Sequence, residues 1–164
     1  MAHKVSRFLT YEVARQAIEL VRPSIEAMME RGVCKRKHLD IVVLNPLARP
    51  DTGTFDEAVL CEQSWEDESQ WEHNYRVIAR SKVEQTWRTS LPTRLLQQMP
   101  HLYQRGDSPF FGSANHDGIM VGASGVESHY DVMFASWVAA AAHALATTAY
   151  LKWVTEHPNE DKLD

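Results

Sequence analysis

The sequence predicts an α+β fold, with one antiparallel sheet and helices packed against it. Three observations predict it. Residues 39–44 (L-D-I-V-V-L) are short, apolar and β-branched, which reads as a buried strand. A second candidate strand, residues 54–61, follows after the turn residues Asn45-Pro46 and Arg49-Pro50-Asp51-Thr52-Gly53, so the two runs form an antiparallel hairpin with a long loop. Around them lie long stretches with helical spacing, and one glycine-containing strand, residues 119–126, comes late in the chain. The order helix, strand, strand, helix, irregular loop, strand, helix belongs to a layered α+β domain.

The elements follow in order. Thr10 is the N-cap of a first helix, with Glu12 in its first turn. Val13, Ala14, Ala17, Ile18, Val21, Ile25, Met28 and Met29 recur at three- and four-residue spacing. Pro23 lacks an amide proton, so it kinks or splits this helix, and Gly32 caps its end. Ser64-Trp65-Glu66-Asp67 resembles a capping box, which starts a long helix reaching Thr89. That helix carries an apolar face of Trp71, Tyr75, Ile78, Ala79 and Thr86, interrupted by Lys82, and Pro92 ends it. Residues 91–115, with three prolines and two glycines, read as an irregular binding loop. Asp131 caps the last helix, residues 132–155, whose stripe is Phe134, Trp137, Val138, Ala141, Leu145 and Ala149. Its alanines permit close packing. Residues 156–164 form a polar tail, and residues 1–164 read as one domain.

Composition narrows the function classes. The 164 residues suit one domain and are enough to bury a core without staples. Seventeen Lys and Arg against 22 Asp and Glu leave a net charge of −5, which argues against a nucleic-acid module. Two cysteines, Cys34 and Cys61, make no disulfide framework and point to a reducing compartment. The N-terminus lacks the apolar run of a secretory signal. The alanine-rich stretch 132–151 holds His143, Ser136 and paired threonines, and reads as a core helix rather than a membrane span. The expectation is a cytoplasmic protein without membrane or nucleic-acid partners.

No P-loop, dinucleotide fingerprint, zinc-protease helix, nucleophile elbow or C-x-x-C occurs. The eight histidines form no i, i+3 or i+4 pair. His143 reads as a satisfied helix residue, and His3 and His157 as solvated. His116 and His129 bracket the glycine strand and are the candidate metal ligands or proton donors, because neutral imidazole binds metals and titrates near neutrality. Lys82 on its apolar stripe is either a snorkelling side chain or an anchor for an anion, since a buried ammonium must find a partner. The acidic run Glu57, Glu62, Glu66, Asp67, Glu68 and Glu72 reads as a solvated face. The five tryptophans read as core or subunit contacts.

Several motifs, taken together, resemble the GlcG/HbpS-type haem-binding (haem-degrading) family, related to the C-terminal domain of some cobalamin adenosyltransferases. They are Leu9-Thr10-Tyr11-Glu12-Val13-Ala14-Arg15, the strand from Leu39 to Asn45, Ala79-Arg80-Ser81-Lys82-Val83 with Thr86 and Thr93, and Gly118, Val121-Gly122-Ala123 and Gly125-Val126 ahead of Asp131. They span residues 9–150. The resemblance implies a single profilin/PAS-like α+β layer, assembly into homo-oligomers, and a small-molecule ligand such as haem or another tetrapyrrole. It also implies that Lys82, Thr86, Gly122 and Gly125 lie near the ligand cleft. On that reading His116 or His129 holds iron, and Arg80 or Lys82 pairs a propionate. This chain differs from the family at Asn45-Pro46, at Ser113-Ala114-Asn115-His116-Asp117 and at Gly125-Val126-Glu127-Ser128-His129-Tyr130-Asp131. Those differences open a second reading: an enzyme on a small carboxylate or aromatic metabolite, with His129 as acid/base and Lys82 as anion anchor. A third reading is a non-catalytic accessory subunit whose tryptophans bury an interface.

Overall fold

The computed structural model describes residues 4–65 and 68–163. The fold is α+β: helices packed on both sides of a four-stranded, wholly antiparallel sheet. Helix α1 (Tyr11–Glu30) is capped by Thr10, whose Oγ accepts from Val13 N at 3.3 Å. Pro23 lies within it without splitting it. The buried side chains of Ile18 and Ile25 anchor the helix on either side of the proline. Gly32 follows with φ +69°, and the amides of Gly32 and Val33 reach back to Met29 O and Met28 O, which satisfies the last carbonyls.

Strand β1 (Leu39–Leu44) is buried at every residue because both of its faces are covered. The run expected to be a strand from Thr54 begins instead with one helical turn, α2 (Phe55–Ala58), and only then becomes β2 (Val59–Trp65). The reason is local: Thr54 and Glu57 form a reciprocal capping box. β2 pairs with β1 from Leu39↔Trp65 to Leu44↔Val59, so Ser64 and Trp65 belong to the sheet rather than starting a helix. The remaining residues of that expected cap, Glu66 and Asp67, lie outside the described residues, as does His3. Helix α3 (Tyr75–Thr89) starts later, capped by Asn74, and ends on Ser90 in the left-handed conformation.

The stretch expected to be irregular holds a one-turn helix, α4 (Thr93–Leu96), a 3₁₀ turn and a strand, β3 (Ser113–His116). β3 joins β4 (Ile119–Ser124) through the two-residue turn Asp117-Gly118, with φ of +50° and +89°, the signs a tight hairpin needs. Helix α5 (Ser128–Glu156) begins four residues before the expected Val132.

The strand order is β2-β1-β4-β3. Because side chains alternate along a strand, Leu39, Ile41, Val43, Val121 and Ala123 face one way and Val42, Leu44 and Met120 the other. The first set packs with Ile18, Ile25, Phe134 and Val138 of α1 and α5. The second packs with Ala79, Val83 and Trp87 of α3. By length and composition α5 is apolar enough to cross a membrane, and its first half lies in the core through Phe134, Ala135, Val138, Ala139 and Ala142. Beyond Ala142 none of its residues is buried.

Candidate functional site

The site grows from the contact between α3 and β4. A Cβ on Gly122 would lie 2.6 Å from Ala79 O and 2.7 Å from Val83 Cβ, so glycine here lets the helix sit directly on the strand. That approach carries Lys82 into the interior, where it is 1% exposed. Its ammonium donates to Asp131 Oδ2 at 2.9 Å, Ala123 O at 3.0 Å and Ser124 Oγ at 3.2 Å. An ammonium has three protons, and all three are used. Burial pulls the Lys82 pKa down while Asp131 holds it up. Asp131, also 1% exposed, is pushed up to about 6 by burial, against the pull of Lys82 and of the Val126 and Gly125 amides. Val126 N donates to Oδ1 at 3.2 Å, so Asp131 organises the β4–α5 connection from inside the first turn of the helix.

Gly125 makes this connection possible. Its φ is +146°, and a Cβ would fall 2.2 Å from His38 O. Only glycine allows the chain to pass β1 so closely before turning into α5.

Above the Lys82–Asp131 pair opens a cleft of about 520 Å³. Ile78, Tyr75, Phe110 and Val126 form apolar walls, and Arg36, His73 and His129 stand at its rim. The Tyr75 hydroxyl is buried with no hydrogen-bond partner among the described residues, and burial raises its pKa. His129 is exposed and its ring packs 4.2 Å from that of Tyr130. Among the described residues Arg36 has one ion pair, to exposed Glu72 at 3.8 Å, and its guanidinium lines the opening.

Of the residues expected at one site, the structure brings together Lys82, Gly125 and His129. Gly122 supports them by packing under α3. Arg80 does not join: its guanidinium binds Asp56 and, at 2.9 Å, Glu62, beside a separate polar groove. Two of the arginines lining that groove are already paired, Arg80 with Asp56 and Arg88 with Asp107 at 2.7 Å, and its lining is more polar, so the apolar cleft is the better ligand site. Thr86 is also elsewhere. Its hydroxyl meets Ser113 Oγ at 2.7 Å, and Ser113 and Thr93 continue a buried network that ties β3 to α3 and α4. His116 sits at the β3–β4 turn beside His143. His143 follows His129 by fourteen residues on α5, about 21 Å at 1.5 Å per residue. His116 and His129 therefore cannot serve one metal.

Lys82 is not free to anchor an anion, because Asp131 and two other acceptors saturate it. The residues not foreseen are Arg36, His73, Tyr75 and Asp131 in its pairing role. The need of a buried ammonium for a counter-charge pointed to an acid, but the acid lies 49 residues away. Cys34 and Cys61 are buried and unbridged, with thiols raised by burial, which fits their passive reading. The acidic run is a face laced by arginine: Glu62 meets Arg80, Glu68 meets Arg76 and Glu72 meets Arg36. The arrangement offers a half-open, mainly apolar cleft, a rim cation, rim imidazoles and a protonatable buried pair. Comparison with protein-family models, curated proteins and solved structures finds no match for this chain.

Proposed function

We propose that the chain is a small-ligand-binding protein of the GlcG/HbpS type, whose cleft takes haem or a related tetrapyrrole. The observation that carries this reading is the cleft itself. Its walls are mainly apolar, its floor is a charge pair closed on itself, the Tyr75 hydroxyl stands in the wall with no hydrogen-bond partner among the described residues, and Arg36, His73 and His129 stand at the rim. The donor set fits the ligand: an imidazole suits iron, a guanidinium suits a propionate, and mainly apolar walls suit a macrocycle. His129 would hold the iron, Arg36 would pair a propionate, and Phe110 and Ile78 would contact the ring. Haem would supply a redox-active iron to this surface. The Lys82–Asp131 pair stays beneath as the support that fixes the β4–α5 connection.

Hemin titration of the purified protein tests the reading. A shifted Soret band is expected, weakened by His129→Ala and Arg36→Ala and retained in His116→Ala. Absence of the shift, or a shift indifferent to His129→Ala, would overturn it. A second reading draws on the exposed His129 imidazole and the Arg36 guanidinium, which line the same cleft. It is an enzyme acting on a small carboxylate or aromatic metabolite, with His129 as acid/base and Arg36 as anchor. Thermal stabilisation by small aromatic acids without any hemin response would favour it.

A further inference from the structure

We propose a divalent transition-metal site formed by His116, Asp117 and His143, where the β3–β4 hairpin meets the middle of α5. It is separate from the cleft and does not rest on the haem reading. The three side chains come from two parts of the chain. The Asp117-Gly118 turn presents His116 and Asp117 together. Asn115 fixes the turn, with Oδ1 accepting from Gly118 N at 3.0 Å and Nδ2 donating to Ser90 O at 2.9 Å. β3 lies against α5, which brings His143 under the hairpin tip, and the two imidazole rings meet edge to face at 5.3 Å.

One ligand atom from each of the three residues lies within 4.8 Å of the others. Metal–nitrogen bonds of about 2.0–2.1 Å place two ligands of a tetrahedral ion roughly 3.4 Å apart. The gap is closed by small rotations of the three side chains, all of which are exposed. Among the described residues Asp117 makes no ion pair with lysine or arginine; the nearest basic nitrogen is His116 Nε2, 3.9 Å from its Oδ2. A metal therefore displaces no existing cation. Two imidazoles and one carboxylate select borderline ions such as Zn²⁺, Co²⁺, Ni²⁺ or Cu²⁺ over Ca²⁺ or Mg²⁺, which prefer oxygen. Three protein ligands leave coordination positions open to water. The site lies where α5 leaves the core, just beyond the last buried residue, Ala142. A bound ion would clip the hairpin to the helix at that point.

Equilibrium dialysis of untagged protein against ZnCl₂, with Co²⁺ absorption as a spectroscopic readout, tests the site. One metal per chain is expected. His116→Ala and His143→Ala should each weaken binding at least tenfold and abolish the Co²⁺ ligand-field band. Asp117→Asn should weaken it less, and His129→Ala and His73→Ala should leave it unchanged. These positions are exposed, so the variants keep the fold, which far-UV circular dichroism checks. No stoichiometric binding, binding indifferent to His116→Ala and His143→Ala, or binding lost in His129→Ala would each overturn the site.

Discussion

Replacing Lys82 by methionine removes the charge while keeping most of the stem that crosses the α3–β4 contact. Both members of the Lys82–Asp131 pair are 2% exposed at the side chain, so the carboxylate left behind has no access to water. Breaking a buried pair from one side costs about 3–5 kcal/mol, most of it the penalty of the stranded partner. For a domain of about 150–250 residues each kcal/mol lowers Tm by roughly 2–4 °C, so Lys82→Met should melt roughly 6–20 °C early. Asp131→Asn should cost a similar amount, because the ammonium then keeps only Ala123 O, Ser124 Oγ and an amide oxygen. The double variant should cost about 2 kcal/mol or more less than the two singles added, since no charge is left unpaired. Urea unfolding of wild type, both singles and the double closes the cycle. Additivity within about 0.5 kcal/mol, or single losses below about 1 kcal/mol, would refute the view that this pair is a closed electrostatic unit.

A second buried acid gives a pH prediction of its own. Asp40 is fully buried, receives one hydrogen bond from Ser64 Oγ at 2.6 Å, lies 4.0 Å from Arg76 Nε, and has an Oδ2 with no hydrogen-bond partner among the described residues. Burial and then the Glu62 charge raise its pKa to about 7 from 3.8. The folded state thus holds a proton that the unfolded chain gives up. Asp40 favours folding below about pH 4, and that contribution disappears as pH rises through 7. At 1.36 kcal/mol per pH unit the span is at most about 4 kcal/mol. Asp40→Asn should flatten stability between pH 4 and 7, as measured by chemical denaturation; an unchanged slope would count against a protonated Asp40. Gly122→Ala should cost about 1–3 kcal/mol, because the new methyl meets Ala79 O and Val83 Cβ at distances no helix side chain can relieve by rotation. A neutral or stabilising result in urea unfolding would show that α3 does not rest on this strand.

Strands β1 and β4 and the bodies of α1, α3 and α5 were legible in the sequence, because each carries its own apolar pattern. β3 was not, since Ser-Ala-Asn-His has no such pattern and owes its strand to pairing with β4. Ser64 looked like a helix cap because its chemistry suits one, yet pairing opposite Asp40 decides its place. Conversely, the Thr54–Glu57 capping box is written in the sequence but masked there by the apolar run that follows it. Lys82 stood out as a misplaced charge, which is a local signal. Its partner, the rim cation Arg36 and the meeting of His116 with His143 are products of the tertiary fold, and residue spacing carries no trace of them.

The half-in, half-out course of α5 divides one helix into two regimes of opening. Up to Ala142 its amides are covered by the sheet and α1, so they exchange with solvent only when much of the domain opens. From His143 onward the tertiary cover is thinner: Leu145 and Ala146 still touch the core and Tyr150 meets Phe8 edge to face at 5.6 Å, while Tyr150 and Leu151 are substantially exposed. Local fraying there costs less than opening the core. The boundary between slow and fast hydrogen exchange should fall within one turn of His143, and anything that grips this residue would move the boundary toward the C-terminus.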